Sequence, residues 1–330
     1  MKVRNGILSA VLFIAATLLA LALGESLLRV KNSAMTNYDI EMWRYAKELK
    51  VRSNNPQIAF DHVRDAEAVL QSVAIRTNEW GVRGPSVSPR DPNIRRILFL
   101  GSSITLGWGV KEEDTLEQQL RRMFAADGQT VEVLNAGIGN YNATRYVERF
   151  FSELKDLQPS DIVVQYFLRD AEHLDPGGGN FLLRHSQLAV TLWLATTRLT
   201  EKIGERSLDE HYHSVYRDGQ PGYQEMQAAL NRLAEYAKAK NIRLYLAMTP
   251  DIHNLANYPF GYVHQRMERI AKADGYRFID LLPAFGKLPP EQVWAMPGDP
   301  HPNALGHRLM AEALYPVLVA AAPVAQRPSQ

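Results

Sequence analysis

From residue 97 onward, hydrophobic positions recur in two alternating rhythms. Short apolar runs at Ile97–Leu100, Val131–Asn135, Ile162–Phe167, Ile242–Met248 and Tyr276–Leu281 are separated by stretches of helical spacing at about 113–126, 143–156, 262–273 and 304–318. Runs of that length suit strands buried on both faces of a parallel sheet. Strands alternating with amphipathic helices predict a doubly wound α/β domain. The rhythm breaks over 171–223, where Pro176-Gly-Gly-Gly precedes Leu188-Ala-Val-Thr-Leu-Trp-Leu-Ala, an apolar run too short to cross a membrane. An insertion after the third strand stands above the carboxyl edge of the sheet. It reads as a lid or substrate wall, or as an ordinary packed helix.

The N-terminal pattern is of another kind. Lys2 and Arg4 precede an uncharged apolar run from Ile7 to Leu23, which as a helix spans about 26 Å, the lower limit for crossing a bilayer core. Glu25-Ser-Leu-Leu-Arg-Val continues the helical pattern, so an uncleaved signal anchor is expected. Basic residues at its start hold that end in the cytoplasm and send the rest outward, into a bacterial periplasm. Ala20-Leu-Ala22 and Ala22-Leu-Gly24 also suit signal-peptide cleavage, which keeps that reading open. Residues 34–92 lack a clean period and are read as a stalk or N-terminal extension. The expected organisation is thus 1–33 anchor, 34–92 extension, 93–320 catalytic domain with 171–223 inserted, and 321–330 an Ala/Pro-rich tail.

Composition narrows the chemistry. The 330 residues carry 37 basic and 36 acidic side chains, net +1, which leaves no electrostatic footprint for nucleic acid. With no cysteine, disulfides and thiolate catalysis are excluded. The first strand ends in Gly101-Ser102-Ser103, at the edge where open α/β sheets bind ligands, so Ser103 is a candidate nucleophile. A Ser there also suits a helix N-cap or turn. Glycines at 101, 107 and 109 suggest a phosphate loop, but neither Gly-Lys-Ser/Thr nor Gly-x-Gly-x-x-Gly is present. Before the last helix stands Gly298-Asp-Pro-His-Pro-Asn-Ala-Leu-Gly-His307. Asp299 falls within one turn of His301 and suits orienting the imidazole that takes the Ser103 proton. Asp299, His301 and His307 also have a metal-like spacing, but nothing completes a ligand set, and neither metal nor cofactor is expected.

Taken in order, Gly-Ser-Ser103, Asn135-Ala-Gly, Phe167-Leu-Arg-Asp170 and Asp299-Pro-His-Pro-Asn-Ala-Leu-Gly-His307 resemble the SGNH, or GDSL-type, hydrolases from about Asn93 to Leu318. Asn78-Glu-Trp-Gly-Val-Arg-Gly84 is similar to a stretch found in their membrane-anchored bacterial branch. The resemblance implies a flavodoxin-like, three-layer α/β/α fold with one N-terminal transmembrane helix. It further implies Ser103 as nucleophile and backbone oxyanion donor, His301 as base and Asp299 as its orienting partner. Ser102 replaces the family's usual Asp. Asn140 falls on the family's oxyanion glycine, with Gly139 one place before, and Asn tolerates the positive φ such a position asks for. Arg169 replaces the oxyanion Asn. It is expected, with Asp170, at the oxyanion or substrate; its alternatives are pairing with Asp170 or an acidic substrate, or a plain surface position on a loop. The implied activity is a serine esterase or deacetylase acting on an O-acylated envelope or extracellular polysaccharide. The alternatives are an O-acyltransferase in polysaccharide assembly, and a non-catalytic binding protein in which Ser103 Oγ lies out of reach of His301.

Overall fold

The computed structural model describes residues 2–175, 180–201, 208–297 and 301–320. Pro176-Gly-Gly-Gly179, Asp299 and the Ala/Pro-rich tail lie outside the described residues. In chain order, α1 (Lys2–Asn32) and α2 (Tyr38–Glu48) come first, then two short antiparallel hairpins. These are β1 (Lys50–Arg52) with β2 (Phe60–His62), and β3 (Glu67–Leu70) with β4 (Val73–Arg76). The alternating region follows as β5 (Arg95–Gly101), α3 (Ser103–Leu106), α4 (Leu116–Ala126), β6 (Val131–Asn135), α5 (Ala143–Arg149) and β7 (Asp161–Tyr166). Next come α6 (Phe181–His185), α7 (Gln187–Glu201), α8 (Leu208–Val215), α9 (Pro221–Lys240) and β8 (Arg243–Met248). The chain ends with α10 (Gly261–Asp274), β9 (Arg277–Asp280), α11 (Leu282–Phe285) and α12 (Ala304–Val319).

Two compact units result. One is Met1–Lys47 with Gly178–Glu205; the other is Glu48–Gly177 with Arg206–Gln330. The hairpins within 34–92 belong to the sheet-bearing unit, and the 171–223 insertion divides between the two. Hairpins with strands of three or four residues carry too few positions to show a period. The β3–β4 turn, Gln71-Ser72, takes positive φ at both residues without the Gly or Asn that marks such turns.

In the sheet-bearing unit, five parallel strands run in the order β6-β5-β7-β8-β9. That is the flavodoxin-like order, with its topological switch between β5 and β7. Helices α4 and α12 pack together on one face; α5, α9 and α10 pack on the other. Ile97, Leu98, Phe99 and Leu100 are fully buried, as are Ile162, Val163 and Val164, which is why these strands read as unbroken apolar runs. At the opposite edge, buried Asp161 pairs with Arg95 and Arg243, each at 2.7 Å, tying together the starts of β5, β7 and β8.

In the other unit, α1 is one continuous helix. Within Asn5–Asn32 its apolar window has a mean hydropathy of 2.5, and none of that window is buried. A helix of that length and composition suits a membrane anchor or a signal sequence.

Candidate active site

Ser103 follows β5 directly, at the carboxyl end of the strand beside the switch point. The turn that presents it is closely packed. A Cβ on Gly101 would lie 2.0 Å from Thr105 Oγ1 and 2.9 Å from the Gln165 carbonyl, so the strand must end in Gly for the helix to start there. Ser102 occupies the N-cap position of α3, yet its side chain makes no cap bond. The Ser103 hydroxyl caps nothing either: its Oγ lies 2.7 Å from His301 Nε2. The expected nucleophile and base, 198 residues apart in sequence, are brought into hydrogen-bond contact. A drifted, non-catalytic site would instead leave Ser103 Oγ out of reach.

His301 is 7% exposed and held from three sides. Its carbonyl accepts from Ala295 N–H at 2.8 Å, and Pro302 bridges to Trp294. Asn303 caps α12, accepting from Leu305 and Gly306 N–H while its Nδ2 donates to the Gln292 and Trp294 carbonyls. Gly306 lets the first turn of α12 lie against Pro302, since a Cβ there would come 2.7 Å from Pro302 Cβ. The Pro-Asn-x-x-Gly spacing after His301 therefore positions the imidazole. His307 Nδ1 accepts from Leu116 N–H at 3.0 Å, and burial pushes its pKa down to about 3. It stays neutral and joins α12 to α4. Asp299 lies outside the described residues, and among those described no three His, Asp or Glu side chains converge as a metal site.

The loop after β6 packs directly on this turn. A Cβ on Gly137 would lie 2.2 Å from Leu106 N. Asn135 Nδ2 donates to the Thr105 carbonyl at 2.6 Å and to Glu117 Oε2 at 3.0 Å, and its Oδ1 accepts from Gly137 N–H. Asn140 sits at φ +61°, the left-handed conformation expected at that position. Lys50 Nζ donates to the Gly139 carbonyl at 2.5 Å. Burial and the nearby Arg145 guanidinium push its pKa down to about 7.

The third block is arranged differently from the expectation. Asp170 is fully buried and accepts from Phe167 N–H at 3.0 Å and from Tyr146 OH at 3.3 Å; burial pushes its pKa up to about 8. These bonds stabilise the turn after β7. Arg169, with a side chain 55% exposed, pairs with Glu172 at 3.4 Å. Glu172 also accepts from His211 Nε2 at 3.1 Å.

Two arginines, Arg83 ahead of β5 and Arg149 at the end of α5, brace both site loops. Arg83 Nη1 donates to the Leu106 and Gly107 carbonyls at 2.6 and 2.8 Å, and Nη2 donates to Val110 at 2.7 Å. Its own N–H donates to the Asn135 carbonyl. Asn78 folds this stretch by accepting from Trp80 and Val82 N–H. Buried Arg149 reaches from the Ala136 carbonyl to Gly81 and ion-pairs with Asp61 at 2.7 Å. The Asn-x-x-Gly-x-Arg-Gly stretch thus supports the turn that carries Ser103. Lys50 and Arg149 carried no sequence signal for this task, because support by long-range backbone contact fixes no local spacing.

The model of a family described as GDSL-like lipase/acylhydrolase matches residues 99–309. Among solved structures, the chain is similar to the psychrotrophic esterase EstA from Pseudoalteromonas sp., at 16% identity, covering 68% of this chain and 97% of that one, TM-score 0.43. It is also similar to the acetyl xylan esterase AlAXEase, at 18% identity over 68% and 99% of the two chains, TM-score 0.42. A third is the lipase/acylhydrolase from Enterococcus faecalis, at 14% identity over 68% and 95%, TM-score 0.43. No curated protein matches the sequence.

Proposed function

The chain belongs to the GDSL-like lipase/acylhydrolase family, and from that premise we propose that it is a serine esterase that removes acyl groups from an O-acylated carbohydrate of the cell envelope. The observation carrying this reading is the 2.7 Å contact between Ser103 Oγ and His301 Nε2 at the carboxyl edge of the sheet. His301 Nε2 takes the hydroxyl proton as Ser103 Oγ bonds to the ester carbonyl carbon. The oxyanion that forms is held by the backbone N–H groups of Ser103 and Asn140. The carbonyl re-forms as the sugar alkoxide leaves with the proton from His301. Water, deprotonated by the same imidazole, then attacks the acyl-enzyme and releases the acid and Ser103. In this proposal the carboxylate of Asp299, two residues before His301 in the sequence, is the partner that orients the imidazole.

Location supports the substrate class. Lys2 and Arg4 ahead of the apolar stretch of α1 support reading it as an anchor with its N-terminus in the cytoplasm and the catalytic unit in the periplasm, beside envelope polysaccharides. Incubating the protein with an acetylated polysaccharide and an excess of free sugar tests the acceptor. Esterase action releases free acetate in proportion to protein. Acetyl groups recovered on the added sugar, without free acetate, would make it an O-acyltransferase.

A further inference from the structure

The unit built from α1, α2, α6 and α7 carries apolar side chains that the ester chemistry does not use. Phe181 is 74% exposed, Leu182 63%, Leu192 57% and Trp193 52%. These residues are firmly attached to α1. The Glu25 carboxylate accepts from Gln187 and Leu188 N–H and from Ser186 Oγ, at 3.1, 2.9 and 2.9 Å, so it caps the start of α7. Arg29, paired with Glu25 at 2.7 Å, donates to the His185 carbonyl. Asn32 Nδ2 donates to Gln187 Oε1 at 2.9 Å, and Trp43 Nε1 donates to the Leu183 carbonyl at 2.7 Å.

All of these contacts fall where the apolar run of α1 ends. We infer that α6 and α7 are seated in the headgroup layer of the bilayer that α1 crosses, with Phe181, Leu182, Leu192 and Trp193 among the upper acyl chains. The occupant of this surface is lipid, because α6 and α7 are fastened to α1 where its apolar run ends, which rests on reading α1 as a membrane span. Arg29, Lys31, Arg184 and His185 lie exposed at the same level, where basic side chains meet anionic headgroups. A Trp on such a patch suits the membrane–water interface. The apolar run of the insertion is too short to cross a membrane and instead lies on one.

The absence of cysteine makes a clean test, in which single-cysteine variants of the full chain carry an environment-sensitive fluorophore. Leu182→Cys and Trp193→Cys report the patch, Leu18→Cys the span, and the exposed Asp156→Cys the aqueous phase. In vesicles of phosphatidylethanolamine and phosphatidylglycerol, labels at 182 and 193 should be quenched more by lipids with a nitroxide near the headgroup than near the chain end. They should also lose the iodide quenching seen at 156. Iodide quenching at 182 and 193 equal to that at 156, with Leu18 quenched by the deep nitroxide, overturns the inference and leaves the anchor intact. Protection at 182 and 193 from both iodide and nitroxide lipids overturns it in favour of a covering protein. A Leu18 label open to iodide overturns the anchor, and this inference with it.

Discussion

Around His301, small residues do as much for the geometry as the charged ones. Gly306 lets α12 start against Pro302, the residue after the imidazole. Gly306→Ala should therefore cost about 1–3 kcal/mol of stability by overpacking and lower kcat by about tenfold to a hundredfold as Ser103 and His301 shift apart. Chemical denaturation and kcat for a p-nitrophenyl ester measure the two effects. Arg169 makes the opposite case. Exposed and paired with Glu172, it should be replaceable by Ala with stability changed by no more than about 0.5 kcal/mol; a loss of kcat of about a hundredfold or more would return it to the oxyanion. Ser103 and His301 were legible in the sequence because the chemistry demands those residue types at the end of a strand and before a helix. Asp170 marks where local pattern runs out: a carboxylate after a strand looks the same whether it meets a substrate or caps a turn, and the bonds it accepts from Tyr146 OH and Phe167 N–H arise only in the fold.

At the scale of elements, the five sheet strands were legible within a residue or two, since burial on both faces writes them as apolar runs. The helix α9 was not recognised, because it begins at Pro221, inside the expected insertion. The hairpins at 50–76 were equally silent. They matter because this part of the chain supports the nucleophile turn, chiefly through Arg83. Arg83→Met should leave the Leu106, Gly107 and Val110 carbonyls without this donor, at a cost of about 2–4 kcal/mol. It should lower kcat more than KM, because the displaced part is the oxyanion-forming turn. Unfolding midpoints and Michaelis–Menten kinetics check both.

Across the whole molecule, stability is linked to pH through buried ionisable groups. Burial pushes Glu117 up from 4.5 to about 8, although Asn135 hydrogen-bonds its carboxylate. A carboxyl with a raised folded pKa stabilises fully below its unfolded pKa and loses that contribution as pH rises through the folded one. Other groups, such as His307 and Lys50, shift in the opposite sense, so the clean quantity is a difference between two proteins. Glu117→Gln should gain stability relative to the wild type progressively from about pH 4.5 to 8, as read by denaturant midpoints at several pH values. A constant difference over that range would mean that Glu117 keeps an ordinary pKa.

The account as a whole stands on Ser103 as an activated nucleophile. The most direct measurement is labelling of the full-length protein with a fluorophosphonate, located by peptide mass spectrometry, beside ester hydrolysis by the protein and its Ser103→Ala variant. The structure predicts one phosphonylated residue, Ser103, and a loss of hydrolysis of about 10⁴-fold in the variant. An unlabelled Ser103, or a variant that hydrolyses the ester as fast as the parent, would contradict it.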